Sequence, residues 1–125
     1  NQTHIFLAHN APAEPDPRSI LEKITAAVLS GGSSSRLFTE VREKRGLCYA
    51  VSAVYGADKL FGRLIAYVGT TPERAQQSLD VLMSELRRVN SPETGAVTQE
   101  EFDHAIIGYR SRLVFSGEST GARAV

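Results

Sequence analysis

The chain has 125 residues, 42% of them hydrophobic, which is the size and composition of one domain with a single core. Fourteen basic residues cancel fourteen acidic ones, so no net field draws the chain to nucleic acid or to an anionic membrane surface. A single cysteine excludes an internal disulfide and a cysteine-built zinc site, and no apolar run approaches the roughly 20 residues that span a bilayer.

The opening NQTHIFLAH carries no charged leader and reads as the middle of a strand; HIFLAHNA alternates, and APAEPDP after it is a proline-broken loop. Asp16 as N-cap and Pro17 at the first helical position predict a helix to Leu29, with Ile20, Leu21, Ile24, Ala27 and Val28 on one stripe. Gly31 and Gly32 are expected to end it in the left-handed conformation. One of Ser33, Ser34 or Ser35 caps a second helix that buries Leu37, Phe38 and Val41 and stops at Gly46.

Next, CYAVSAVY and LFGRLIAYV, separated by GADK, predict a hairpin. Thr71 and Pro72 open a long helix with Ala75, Leu79, Leu82, Met83, Leu86 and Val89 at helical spacing, which SPETGAV breaks. Thr98 and Glu101 form a capping box for a last helix carrying Phe102, Ala105, Ile106, Tyr109 and Leu113. Strand and helix do not alternate regularly. The order predicts an α+β, two-layer sandwich, an antiparallel-rich sheet covered on one face by helices. Residues 1–125 form a single domain in this reading, and the ending STGARAV, which has no stop signal, suggests a piece of a longer protein.

No hydrolytic metal motif is present. H-E-x-x-H and H-x-x-E-H put two histidines on one helical face; here His4 and His9 are five apart in a strand and point to opposite sides, and His104 is remote. SGGSSSR lacks the spacing and lysine of a phosphate loop and reads as a helix-to-helix turn. It is not a G-x-S-x-G elbow either. Cys48 has no histidine nearby in sequence and reads as a small core residue, while Glu40/Glu43 and Glu100/Glu101 read as helix-end charge.

The run SSRLFTEVREKRGLCYAVSA resembles the signature of the second homologous domain in pitrilysin-type peptidases, a family that includes the mitochondrial processing peptidases and insulin-degrading enzyme. QTHI, the helix into a glycine pair, FGRLIAYVGTTPE, TQEEF and GESTGARA stand in the family's order. The resemblance implies a processing-peptidase-like metallohydrolase fold and a partner: a homologous amino-terminal half, or a separate subunit, that carries H-x-x-E-H and the zinc. It implies neither metal nor catalytic residues in this chain alone, and a peptide substrate held between the two halves. The second half resembles this sequence in an arginine and a tyrosine seven residues apart, here Arg42 and Tyr49.

That spacing has a physical sense of its own. Arg42 lies in the last helical turns, Gly46 reverses the chain, and Tyr49 begins the next strand, so both side chains have one cleft within reach. A guanidinium suits a substrate carbonyl, and a phenol suits the oxygen that gains charge when a peptide bond is attacked. Tyr55 and Tyr67 read as core or strand-surface residues, and Arg36 as a residue that satisfies carbonyls at the glycine turn. Ser30 and Cys48 stand where the family more often has glycine and alanine, and Ile106 where it often has lysine, so no role is assigned to that helix position. The alternative function is a catalytically inactive, peptidase-like subunit acting as a binding or structural module, since fold alone does not fix function.

Overall fold

Three segments with period-two hydrophobicity form an antiparallel sheet: β1 (Thr3–Ala11), β2 (Ala50–Ala57) and β3 (Gly62–Thr70). The computed structural model describes residues 1–32 and 34–118 of the chain. In the hairpin loop between β2 and β3, the Asp58 carboxylate accepts the backbone N–H groups of Leu60 and Phe61 at 2.8 and 2.9 Å. β1 pairs with the other side of β3, which makes β3 central in the order β1-β3-β2.

Register decides which side chains share a face. Ile5, Val68 and Val51 form one row and Leu7, Ala66 and Ala53 the next, on the face that meets the helices. The intervening rows, Phe6–Tyr67–Ser52 and Ala8–Ile65–Val54, point the other way. Among the described residues nothing covers that second face: Phe6 is 66% and Val54 59% exposed.

The helical layer comprises α1 (Ser19–Ser30), a π-helical segment (Phe38–Glu43), α2 (Ala75–Val89), the single turn α3 (Pro92–Gly95) and α4 (Gln99–Glu118). Leu29, Leu37, Val41 and Leu82 meet Ala66 and Val68 with essentially no solvent exposure. Each fully buried side chain of this size contributes about 1.5–3 kcal/mol. A satellite cluster of Ala27, Val28 and Ala105 joins α1 to α4.

The capping box forms as expected: Glu101 N–H donates to Thr98 Oγ1 at 3.1 Å, and Thr98 N–H donates to Glu101 Oε1 at 3.0 Å. Several local expectations change. The first helix starts two residues late, because the Asp16 carboxylate takes the Arg18 N–H at 2.8 Å and its guanidinium at 2.8 Å and holds residues 16–18 in a turn. Ile20 and Leu21 are exposed, while Ala27 and Val28, farther along α1, are buried with Ala105 of α4. Gly31 has a right-handed φ of −80°; the left-handed glycine is Gly46, at φ +59°. A 3₁₀ turn, Pro72–Arg74, precedes α2. Ser33, one of the three cap candidates, and the side chains of Tyr109 and Leu113 lie outside the described residues, as do residues 119–125.

Candidate functional site

The turn that delivers Tyr49 is tied on every side. The π-helical segment widens its last hydrogen bonds, with Lys44 N–H reaching Thr39 O at 2.9 Å and Leu47 N–H reaching Val41 O at 3.1 Å. Gly46 then reverses the chain. The Leu47 carbonyl accepts the buried hydroxyls of Thr70 and Ser78, and the Gly46 carbonyl accepts Arg74 Nη1 at 2.8 Å. Two residues on, Tyr49 N–H donates to Gly69 O at 3.0 Å and joins the end of the sheet. Anchors from β3, the 3₁₀ turn and α2 thus set the backbone before Tyr49 leaves it.

Tyr49 lies on the uncovered face, 44% exposed, with its ring over Gly69. A Cβ at position 69 would stand 2.8 Å from the Tyr49 ring and 2.5 Å from the Tyr67 hydroxyl, so the two side chains share the space that glycine leaves open. His4, paired with Gly69 in the β1–β3 register, completes the group: its Nδ1 shares a 2.8 Å hydrogen bond with Tyr67 Oη. Its ring stacks on Tyr67 at 5.9 Å and meets Tyr49 edge-on at 6.5 Å. Desolvation and the neighbouring Tyr67 hydroxyl push the Tyr49 phenol up, which keeps it protonated and able to donate. The face continues as an apolar hollow of about 650 Å³ lined by His4, Phe6, Ser52, Val54, Ile65 and Tyr67.

Arg42 is exposed, its guanidinium carbon 5.0 Å from the centre of the Phe38 ring. No carboxylate pairs with it among the described residues. It acts electrostatically on Cys48, the residue before Tyr49: burial pushes that half-buried thiol up and the Arg42 charge opposes the shift. Arg42 and Tyr49 therefore flank one turn without touching.

The remaining candidates separate. His9 faces the helix side of the sheet, in the row of Leu64, and His104 Nδ1 is 3.4 Å from Ser34 Oγ. No three metal-ligating side chains converge among the described residues, and these histidines do not fit a zinc ion. Glu40 is paired with Lys44 and Arg45 as helix-end charge. Arg36 reaches a carbonyl, but it is that of Ala96 at 2.9 Å, 60 positions away, and not one at the glycine turn as expected; its main partner is Glu101, held by two hydrogen bonds of 2.6 and 2.9 Å.

Sequence reading gives His4 and Tyr67 no functional role, setting the first aside as a metal ligand and taking the second as a core or strand-surface residue, and it does not single out Gly69. One signal was available: a glycine inside the strand pattern AYVGT marks a close approach. Gly69→Ala is expected to change stability by less than about 1 kcal/mol, because the clashing atoms belong to rings that can swing into solvent. The same variant should shift the ring NMR resonances of both Tyr49 and Tyr67; unmoved resonances would contradict the shared cradle.

The family described as the peptidase M16 inactive domain matches residues 1–109. An uncharacterised zinc protease of Streptomyces coelicolor is 35% identical over 121 residues, 97% of this chain and 26% of that protein. The peptidase M16 inactive domain from Pseudomonas fluorescens superposes with a TM-score of 0.74 at 28% identity, over 98% of this chain and 28% of that one. An inactive peptidase domain from Bordetella parapertussis gives a TM-score of 0.83 over 99% of this chain and 66% of that one, at 16% identity. The chain spans about a quarter of the length of the curated relatives it matches.

Proposed function

The chain belongs to the inactive-domain family of M16 zinc peptidases, and from that premise we propose that it closes a peptide chamber against a zinc-binding half and contributes two polar contacts to the substrate. Metal and water activation belong to the other half or subunit in this reading, which the lack of a converging ligand set among the described residues supports. Tyr49 donates to the carbonyl oxygen of the bond under attack, and Arg42 holds a substrate carbonyl nearby.

The observation that carries the proposal is the placement of Tyr49. A phenol kept protonated, partly exposed and resting on a glycine stands on the one sheet face that no described element covers. Aromatic residues of a strand more often pack; this one is presented. Arg42, charged and without a carboxylate partner among the described residues, lies across the same turn.

Arg42→Ala in the full-length protein is expected to raise KM for a peptide about tenfold with a smaller change in kcat, the signature of a lost ground-state contact. Unchanged KM and kcat would remove Arg42 from the site. The rival reading, a binding module without turnover, is supported by the apolar character of the same face, with Phe6 and Val54 more than half exposed. An H-x-x-E-H motif in the same or an adjacent reading frame, together with peptide turnover, decides against that rival.

A further inference from the structure

We propose that Tyr67 and His4 are positioning residues for Tyr49, together forming a platform that fixes where its phenol points; this rests on the reading of Tyr49 as a transition-state donor. A half-exposed tyrosine on a strand end samples several rotamers unless neighbours restrict it. A donor to a developing charge works only when held close to its productive position, and a displacement of about 1 Å costs up to 100-fold in rate.

The restriction comes from all three strands. His4 belongs to β1, Tyr67 and Gly69 to β3, and Tyr49 leads into β2; the register aligns His4, Gly69 and Ala50 in one row. The Tyr67 hydroxyl and the Tyr49 ring converge on the Gly69 cradle, and the His4 ring meets Tyr49 edge-on. Phe6, 4.9 Å from Tyr67 between ring centres, packs against Tyr67 as well. When the His4 ring proton is on Nε2, Nδ1 accepts from Tyr67 Oη. The Tyr67 O–H is then committed to His4, which holds the Tyr67 phenol in place beside the Tyr49 ring and leaves the single Tyr49 O–H for substrate.

The experiment is a double-mutant cycle on peptide turnover by the full-length protein, with Tyr49→Phe, Tyr67→Phe and the pair. Tyr67→Phe is expected to lower kcat about tenfold with KM within about twofold, and to cost nothing further in the Tyr49→Phe background. An equal loss in both backgrounds, or no loss from Tyr67→Phe where Tyr49→Phe is impaired, overturns the proposal. His4→Ala is expected to lower kcat about threefold and His4→Asn, which restores an acceptor near the Nδ1 position, to recover most of it; equal losses in the two variants overturn the part assigned to His4. If Tyr49→Phe leaves turnover intact, the transition-state reading fails by itself, and the ¹³Cζ resonance of Tyr49 then decides the positioning claim. A shift of that resonance in Tyr67→Phe supports the platform, and no shift overturns it.

Discussion

In the full-length protein, Tyr49→Phe is expected to lower kcat for a peptide about 100- to 1,000-fold while KM stays within a few fold, the loss of about 2.7–4 kcal/mol that removal of one oxyanion donor produces. The change deletes a single hydroxyl. The ring still fits over Gly69 and against His4, so the fold has no reason to respond. A donor that acts only as charge develops contributes little to ground-state binding, and KM is therefore the insensitive parameter. Steady-state kinetics beside a melting curve separates the two. Wild-type kcat in the variant would leave the domain with a closing role and no part in the chemistry.

The second large effect concerns the fold, at Arg36. This guanidinium is 8% exposed and clamps the Glu101 carboxylate through two bonds while reaching the Ala96 carbonyl, so it joins the start of the π-helical segment to the capping box of α4. Truncation strands a carboxylate that is itself three-quarters buried. Arg36→Ala is expected to cost about 3–5 kcal/mol of unfolding free energy in a urea titration. Arg36→Lys should recover little of it, because an ammonium cannot reproduce the planar fork. A loss below about 1 kcal/mol in Arg36→Ala would place this pair among ordinary surface bridges.

The same pair predicts an acid limb. The hydrogen bonds from Arg36 hold the Glu101 carboxyl down at about 2, against an ordinary value of 4.5. A depressed carboxylate stabilises the fold fully above its unfolded pKa and loses that contribution as pH falls through the folded one. The contribution is thus complete above about pH 4.5 and lost as pH falls toward about 2. Glu101→Gln lacks it at every pH, so its stability should vary less than wild type between those limits.

Arg36 also shows where local reading ends. Sequence reading assigns it carbonyls at the neighbouring glycine turn, but its acceptors are Ala96 O, 60 positions away, and Glu101, 65 positions away and already assigned to a capping box. Glu101 does both, capping α4 and accepting Arg36. Tyr49 is the converse. Gly46 and the onset of β2 place it in the chain from local signals alone, and the family resemblance supplies a role, while Gly69, Tyr67 and His4 become its neighbours only through the pairing of β1 with β3.

By itself the sequence determined the α+β class, the single hairpin, the capping box, a sheet covered by helices on one face and the family to which the chain belongs. Each follows from periodicity or turn chemistry within about a dozen residues, or from an ordered run of motifs. Tertiary structure alone decided the central position of β3, the widening of the helix before Gly46, the exposure of Ile20 and Leu21, and the ring platform beside Tyr49. Those depend on which distant segments meet. His4 and Tyr67 are 63 residues apart, and no local period records that a histidine on the first strand shares a proton with a tyrosine on the third.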